Sequence, residues 1–268
     1  MRAGLQPFGV DLGNGERDAH FFLRDVQADD YRRQKAAVVD DRHAVIADTD
    51  AHRAAHHAAL SFVRERLFIE HALVVPSLTD LDDQHALSDR WADVASTVQE
   101  DLAVLHRGDD DDGDTIMLNV CFPSGWRPEL LRHASFTGIH TPVPDFAKDP
   151  RASRSMVRSM VERGPYVRFV WTVSADDVLD HHPVHGRRRA FADDVTEGFL
   201  RIERQTTVPL PDVGGSLFLI RTFLRPFRSL DDDERATLDE ALAVMPEEIA
   251  AYKGLAGRHH MRALLARV

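Results

Sequence analysis

The chain has 268 residues, with 33 Lys and Arg against 44 Asp and Glu and a formal net charge of −11. That length can bury a sizeable core, and the negative balance repels a phosphate backbone, which argues against nucleic acid as a partner. Apolar residues make up 43% of the chain, but charge interrupts every run well short of the roughly 18 residues of a membrane span. No basic-then-apolar leader opens the sequence, so a cytoplasmic protein with no membrane partner is expected.

The first 28 residues lack a sustained period and read as an irregular arm. Helical spacing predicts one helix from Asp29 to about Ile46 and a second from Thr49 to about His71, with Leu60, Val63 and Leu67 in register. Thr49 or Asp50 would cap the second. A polar break follows between Pro76 and Gln84. From about Val98 the period changes: Leu102 and Val104 alternate with polar neighbours, and Ile116, Leu118, Val120 and Phe122 alternate in a run from Thr115. The two runs read as a hairpin around the acidic turn from Gly108 to Asp114, which lacks EF-hand spacing and is expected to be a solvated loop.

Prolines and glycines make the stretch from Pro123 to Phe146 a long connection with apolar side chains to bury, and such loops are usually functional. A helix is predicted from Asp149 to about Arg163, ended by Gly164-Pro165. Three further β-prone runs cover Tyr166 to Ser174, Phe199 to Val208 and Ser216 to Leu224, the last two joined by a turn from Pro209 to Gly215. The His-bearing stretch from His181 to Arg189 reads as an exposed connection. One helix from about Leu230 to Tyr252 and a helical tail after Gly257 complete the chain. The pattern predicts an α+β fold with a five-stranded antiparallel sheet and helices packed around it. Residues 1–97 would form an arm and helices on a core made by residues 98–268.

Cys121 is the single cysteine, so an internal disulfide and a cysteine-held iron–sulfur cluster are excluded for this chain alone. It sits in a β-prone run, where a small buried role competes with that of a thiolate. Neither a dinucleotide fingerprint nor a P-loop is present. Ser124, in Pro123-Ser124-Gly125-Trp126, lacks the first glycine of a nucleophile elbow. His52 and His56 stand four apart but without the glutamate of a zinc helix.

Arg221 shares its strand side with Leu217, Leu219 and Phe223, so its guanidinium projects among apolar neighbours and requires a partner. That partner is either a carboxylate such as Glu203 or an anionic ligand group. Arg204 and Arg168 pose the same question. His140 lies in Ile139-His140-Thr141-Pro142-Val143-Pro144, where the prolines would hold an imidazole either as a structural group or as an iron ligand.

Six ordered motifs carry a likeness: Val98-Gln99-Glu100-Asp101-Leu102, Cys121-Phe122-Pro123-Ser124-Gly125-Trp126, the His140 segment, Glu203-Arg204-Gln205-Thr206, Ile220-Arg221-Thr222-Phe223 and Ala251-Tyr252-Lys253-Gly254-Leu255. Together they resemble the haem-binding α subunit of the haem-dependent oxidative N-demethylase family. The resemblance implies a PAS-like domain that binds haem b and oxidises a small amine such as dimethylamine with dioxygen, releasing formaldehyde. It also implies a separate reductase protein carrying FMN, a [2Fe–2S] cluster and NADPH-binding capacity, with tetrahydrofolate taking the one-carbon product. His140 is then the expected axial ligand. Arg168, Arg204 and Arg221 become candidates for haem propionates, and the last two also for polarising dioxygen. Glu203 would orient a cationic amine, and Trp126 and Trp171 would line the macrocycle. Val170 stands where the family pattern has Asn before the tryptophan, which leaves substrate and reaction open. A non-catalytic haem-binding PAS sensor is the competing reading.

Overall fold

The computed structural model describes residues 4–12, 17–39, 45–46, 49–75, 84–109, 111–131, 134–144, 146, 149–185, 189–192 and 194–267. Its frame is one antiparallel sheet. The five expected strands are β3 (Asp101–His106), β4 (Asp114–Asn119), β5 (Tyr166–Ser174), β6 (Phe199–Leu210) and β7 (Gly215–Pro226), and two-residue strands β1 (Gln6–Pro7) and β2 (Val45–Ile46) add one edge each. The order is β1-β5-β6-β7-β3-β4-β2. Numbered on their own, the five long strands lie 2-1-5-4-3, the PAS order. The sheet therefore has seven strands rather than five, because the arm pairs with β5 and Val45–Ile46 pairs with β4.

β6 and β7 are paired without a register break from Phe199↔Pro226 to Leu210↔Gly215. Side chains alternate across such a ladder, so the register defines two faces. One carries Arg204 opposite Arg221, Val208 opposite Leu217, and Leu102 opposite Leu219. Helix α2 (Thr49–His71), along the span its spacing predicts, covers this face with α3 (Gln84–Ala95). Ala59, Leu60, Val63, Leu67, Leu87 and Trp91 are buried there with Leu102, Val104, Leu217 and Leu219. Helix α3 was not expected from the sequence, although Leu87, Trp91, Val94 and Ala95 have helical spacing.

The first helix, α1, covers Ala28–Val39 and does not continue to Ile46, which lies in β2. Of the polar break expected from Pro76 to Gln84, residues 76–83 lie outside the described residues, and Gln84 opens α3. The long connection after β4 contains a short helix, α4 (Phe136–His140), ahead of α5 (Pro150–Glu162). The acidic turn is solvated, with Asp109 and Asp114 exposed, and Asp111 ties it to α5 through Arg158 at 2.7 Å, beside Arg107. The predicted C-terminal helix is divided into α6 (Asp232–Val244) and α7 (Glu247–Tyr252). Pro246, at the break, supplies no amide hydrogen and disfavours helical backbone before it. Helix α8 (Arg258–Leu265) follows, and all three pack with Val173, Leu200 and Phe227 in a second cluster.

Buried polar contacts join the arm to the sheet. Glu70 of α2 accepts from the amides of Phe21 and Phe22, each at 3.0 Å. Asp25 pairs with Arg221 at 2.8 Å and accepts from Gln99 at 3.0 Å. Burial would raise the Asp25 pKa, but Gln99, the amide of Gln27 and Arg221 hold it below the usual carboxylate range. Burial instead pushes the pKa of Glu100 up, even though it accepts from the Leu23 amide at 2.8 Å.

His56, on α2, is fully buried and accepts at Nδ1 from the Trp91 indole at 3.3 Å. The zinc reading of the His52 and His56 pair gives way to this contact; the ring of His52 instead meets His106 at 4.8 Å. Burial, with a smaller contribution from His52, lowers the pKa of His56 to about 4. The unfolded chain, near 6.5, takes its proton first as the pH falls. Stability should therefore decline between about pH 6.5 and 4, by on the order of 3 kcal/mol from this group. Urea titrations across that window should give a shallower pH dependence for His56→Gln, which keeps an acceptor for Trp91 but does not titrate.

Candidate functional site

Helix α4 begins at Ser135, whose side chain accepts from the amide of Gly138 at 3.0 Å. Four residues after Phe136, the ring of His140 lies 4.3 Å from that phenyl ring and stacks on Phe146 at 4.6 Å. Its Nδ1 is 2.8 Å from the carbonyl oxygen of Phe136. A carbonyl only accepts, so the proton is on Nδ1 and Nε2 keeps its lone pair. Burial lowers the pKa of His140 and the Arg168 guanidinium acts in the same direction, against the hydrogen bond to Phe136. A neutral imidazole with a fixed tautomer is the form that ligates a metal.

The sheet face opposite α2 and α3 supplies the rest. The register sets Arg168, Gln205 and Ile220 in one row across β5, β6 and β7, then Val170, Glu203 and Thr222, then Thr172, Arg201 and Leu224. Although these positions are central, Arg168, Val170, Thr172, Glu203, Ile220 and Leu224 remain only half-buried. This part of the face is open. Arg168 donates from Nε to Gln205 at 2.7 Å, and Gln205 donates to Glu203 at 2.9 Å. The amide thus stands between a guanidinium and a carboxylate.

Arg201, which sequence reasoning passed over, is fully buried and donates to the carbonyls of Leu179 at 2.8 Å and Phe122 at 2.7 Å. It ties together the segments that follow β4 and β5 at the end of this face. His181 and His182 lie in the same joint, 3% and 4% exposed, and pair with Asp176 and Glu129. The expectation of an exposed connection fails there because each imidazole faces a carboxylate. Residues 186–188 of that stretch lie outside the described residues.

The other candidates lie elsewhere. Arg204 is on the opposite face and is bound by the arm: it donates to Asp18 at 3.1 Å and to the carbonyls of Phe21 at 3.1 Å and His20 at 2.7 Å. Arg221, on the same face, pairs with Asp25 rather than Glu203, donates to its neighbour's carbonyl at Thr222, and lies 4.0 Å from the Tyr31 ring. Trp171 is also on that face, packed with the C-terminal helices under the Lys253 ammonium, and Trp126 is half-buried in the connection after β4. The alternation puts Val170, not Trp171, beside Arg168 and Glu203. Tyr252, at the end of α7, was quoted in a motif but not assigned to the site. Glu203 raises its pKa, which burial also raises, while Arg168 opposes them.

The family model for haem-dependent oxidative N-demethylase, alpha subunit-like, matches residues 31–262. The chain belongs to that family. No curated protein matches the chain. The matched region extends beyond the motif span, from α1 through α8, so the helices over the closed face are part of the family unit. No described helix is long and apolar enough to cross a membrane. The donor set is compatible with the haem dependence in the family's name: a neutral imidazole with Nε2 unspent, a guanidinium suited to a propionate, and half-buried apolar Val170 and Ile220.

The two faces should separate in mutagenesis. Arg204→Ala and Arg221→Ala remove buried, paired cations and should each cost about 3 kcal/mol in urea unfolding, while the folded fraction still takes up haem with unchanged affinity. Glu203→Gln, which keeps an oxygen for the Gln205 amide and for the Arg201 Nε at 3.8 Å, should change stability by about 1 kcal/mol or less and alter the amine response instead.

Proposed function

We propose that this N-demethylase-family chain is the haem-binding oxygenase subunit that oxidises a small amine, with His140 as the residue that would hold the haem iron. The observation that carries the reading is the contact from His140 Nδ1 to the Phe136 carbonyl, which reserves Nε2 of a neutral, half-buried imidazole. A bound haem supplies reductive activation of dioxygen. In the overall reaction, one oxygen atom is reduced to water with two electrons and two protons, and the other is carried away on the methyl carbon as formaldehyde.

Glu203 is suited to the amine. Its carboxylate is 22% exposed, with Oε1 3.8 Å from the buried Arg201 Nε and with Val170 and Thr222 as cross-strand neighbours on the open face, so it can hold an alkylammonium from the exposed side. The other carboxylate oxygen is fixed by Gln205, which limits rotation of the acceptor. A carboxylate at this position favours amine oxidation over gas sensing, because a neutral diatomic gas needs no counter-ion. With one cysteine and no nucleotide fingerprint, the chain requires electrons from a separate protein, and a flavin and iron–sulfur reductase using NADPH fits that need. We assign Arg204 and Arg221 to holding the arm rather than to catalysis, given their partners on the opposite face.

Haem-reconstituted wild type should have a Soret band whose position and intensity change in His140→Ala, with imidazole added to the variant restoring part of the change. Unaltered ligation and stoichiometry in that variant would remove His140 from the role. Release of formaldehyde from dimethylamine, with a surrogate reductase, should fall by about 100-fold or more in the same variant.

A further inference from the structure

Five arginines lie on the long strands, and four have both terminal nitrogens occupied. Arg201 donates to two carbonyls, Arg204 to two carbonyls of the arm, Arg221 to the Thr222 carbonyl and Asp25, and Arg225 to the Ser229 carbonyl and to Glu234. Arg168 is different. It spends only Nε, on Gln205, and its terminal nitrogens make no hydrogen bond among the described residues. The nearest negative charge on its face, Glu203, is separated from it by the Gln205 amide. Burial accordingly weakens its hold on its proton, which Glu203 and Tyr252 only partly offset. A desolvated guanidinium with a free fork is matched by a carboxylate, which accepts from both terminal nitrogens.

A second free donor is held beside it. The turn after α7 is fixed to β5 by Lys253, whose ammonium donates to the Trp171 carbonyl at 2.5 Å and whose own carbonyl accepts from Thr172 at 3.4 Å. Gly254, at φ +69°, makes the reversal that follows, and Leu255 is buried behind it. Tyr252 is thereby carried past the edge of β5 to the charges of Arg168 and Glu203. Its side chain is 48% exposed, and its hydroxyl has no hydrogen-bond partner among the described residues.

We propose that Arg168 and Tyr252 form a carboxylate-binding pair, closing on the open face from β5 and from the end of α7. Two sources supply that chemistry: a porphyrin propionate, or the carboxylate of an N-methylated amino acid whose ammonium lies on Glu203. Both sources rest on the proposed function, the porphyrin on its haem and the N-methylated amino acid on its amine site at Glu203.

Metal-free protoporphyrin IX and its dimethyl ester isolate the carboxylate from iron ligation, so a failure at His140 leaves this experiment intact. Wild type, Arg168→Gln, Tyr252→Phe and the double variant are compared, with melting curves to establish that each folds. If the source is a propionate, wild type binds the free acid about tenfold more tightly than the ester. Each single variant then loses most of that preference, and the double variant loses little more. If the source is the substrate, acid and ester bind alike. N-methylglycine titrated against tryptophan fluorescence then weakens about tenfold in each variant, while dimethylamine does not. The proposal is overturned if either single variant behaves as wild type in both titrations.

Discussion

A buried guanidinium must meet an acceptor, and the arrangement of this protein follows from how its strand arginines do so. Arg204 and Arg221 project from the middle of the sheet into what would otherwise be an apolar layer. Apart from the Thr222 carbonyl beside Arg221, the groups that answer them, on Asp18, His20, Phe21 and Asp25, belong to the N-terminal arm. Charge therefore fixes a segment with little regular structure. Removing one partner would leave the other desolvated and uncompensated, a penalty that commonly exceeds the net worth of the pair.

Closing one face in this way leaves polar side chains of the other partly exposed. Arg201 applies the same logic at the end of the open face, drawing Phe122 and Leu179 together through their carbonyls. Arg168 is the exception, with an amide on one nitrogen and an uncovered fork. The open face thus combines an unspent cation, a carboxylate steadied by Gln205 and an imidazole held to one tautomer by the Phe136 carbonyl. Each group is fixed by a neighbour that uses only part of its hydrogen-bonding capacity, leaving the remainder for a ligand.

Much of the framework was legible because period-two and period-3.6 patterns report local geometry directly. Thr49–His71 and the five long strands were readable in this way. Helix α3 has a usable spacing but follows a polar break, and α4 is only five residues long, too short to leave a periodic signal. The division between α6 and α7 was marked by Pro246. Tyr252 carried no signal of its own; its neighbour Lys253 had to be bound to β5 before that ring could approach the site.

The sequence by itself determined the five long strands and the family likeness, because alternation and ordered motifs are properties of the linear chain. It also marked Arg168, Arg204 and Arg221 as cations requiring partners. Only the tertiary structure decided which partners they found. A one-residue step along a strand reverses the face, and Asp18 and Asp25 lie 186 and 196 residues away from the arginines they meet. That separation is why Arg204 and Arg221 resemble site residues in sequence yet hold the arm, while Arg168 on the opposite face remains free to bind.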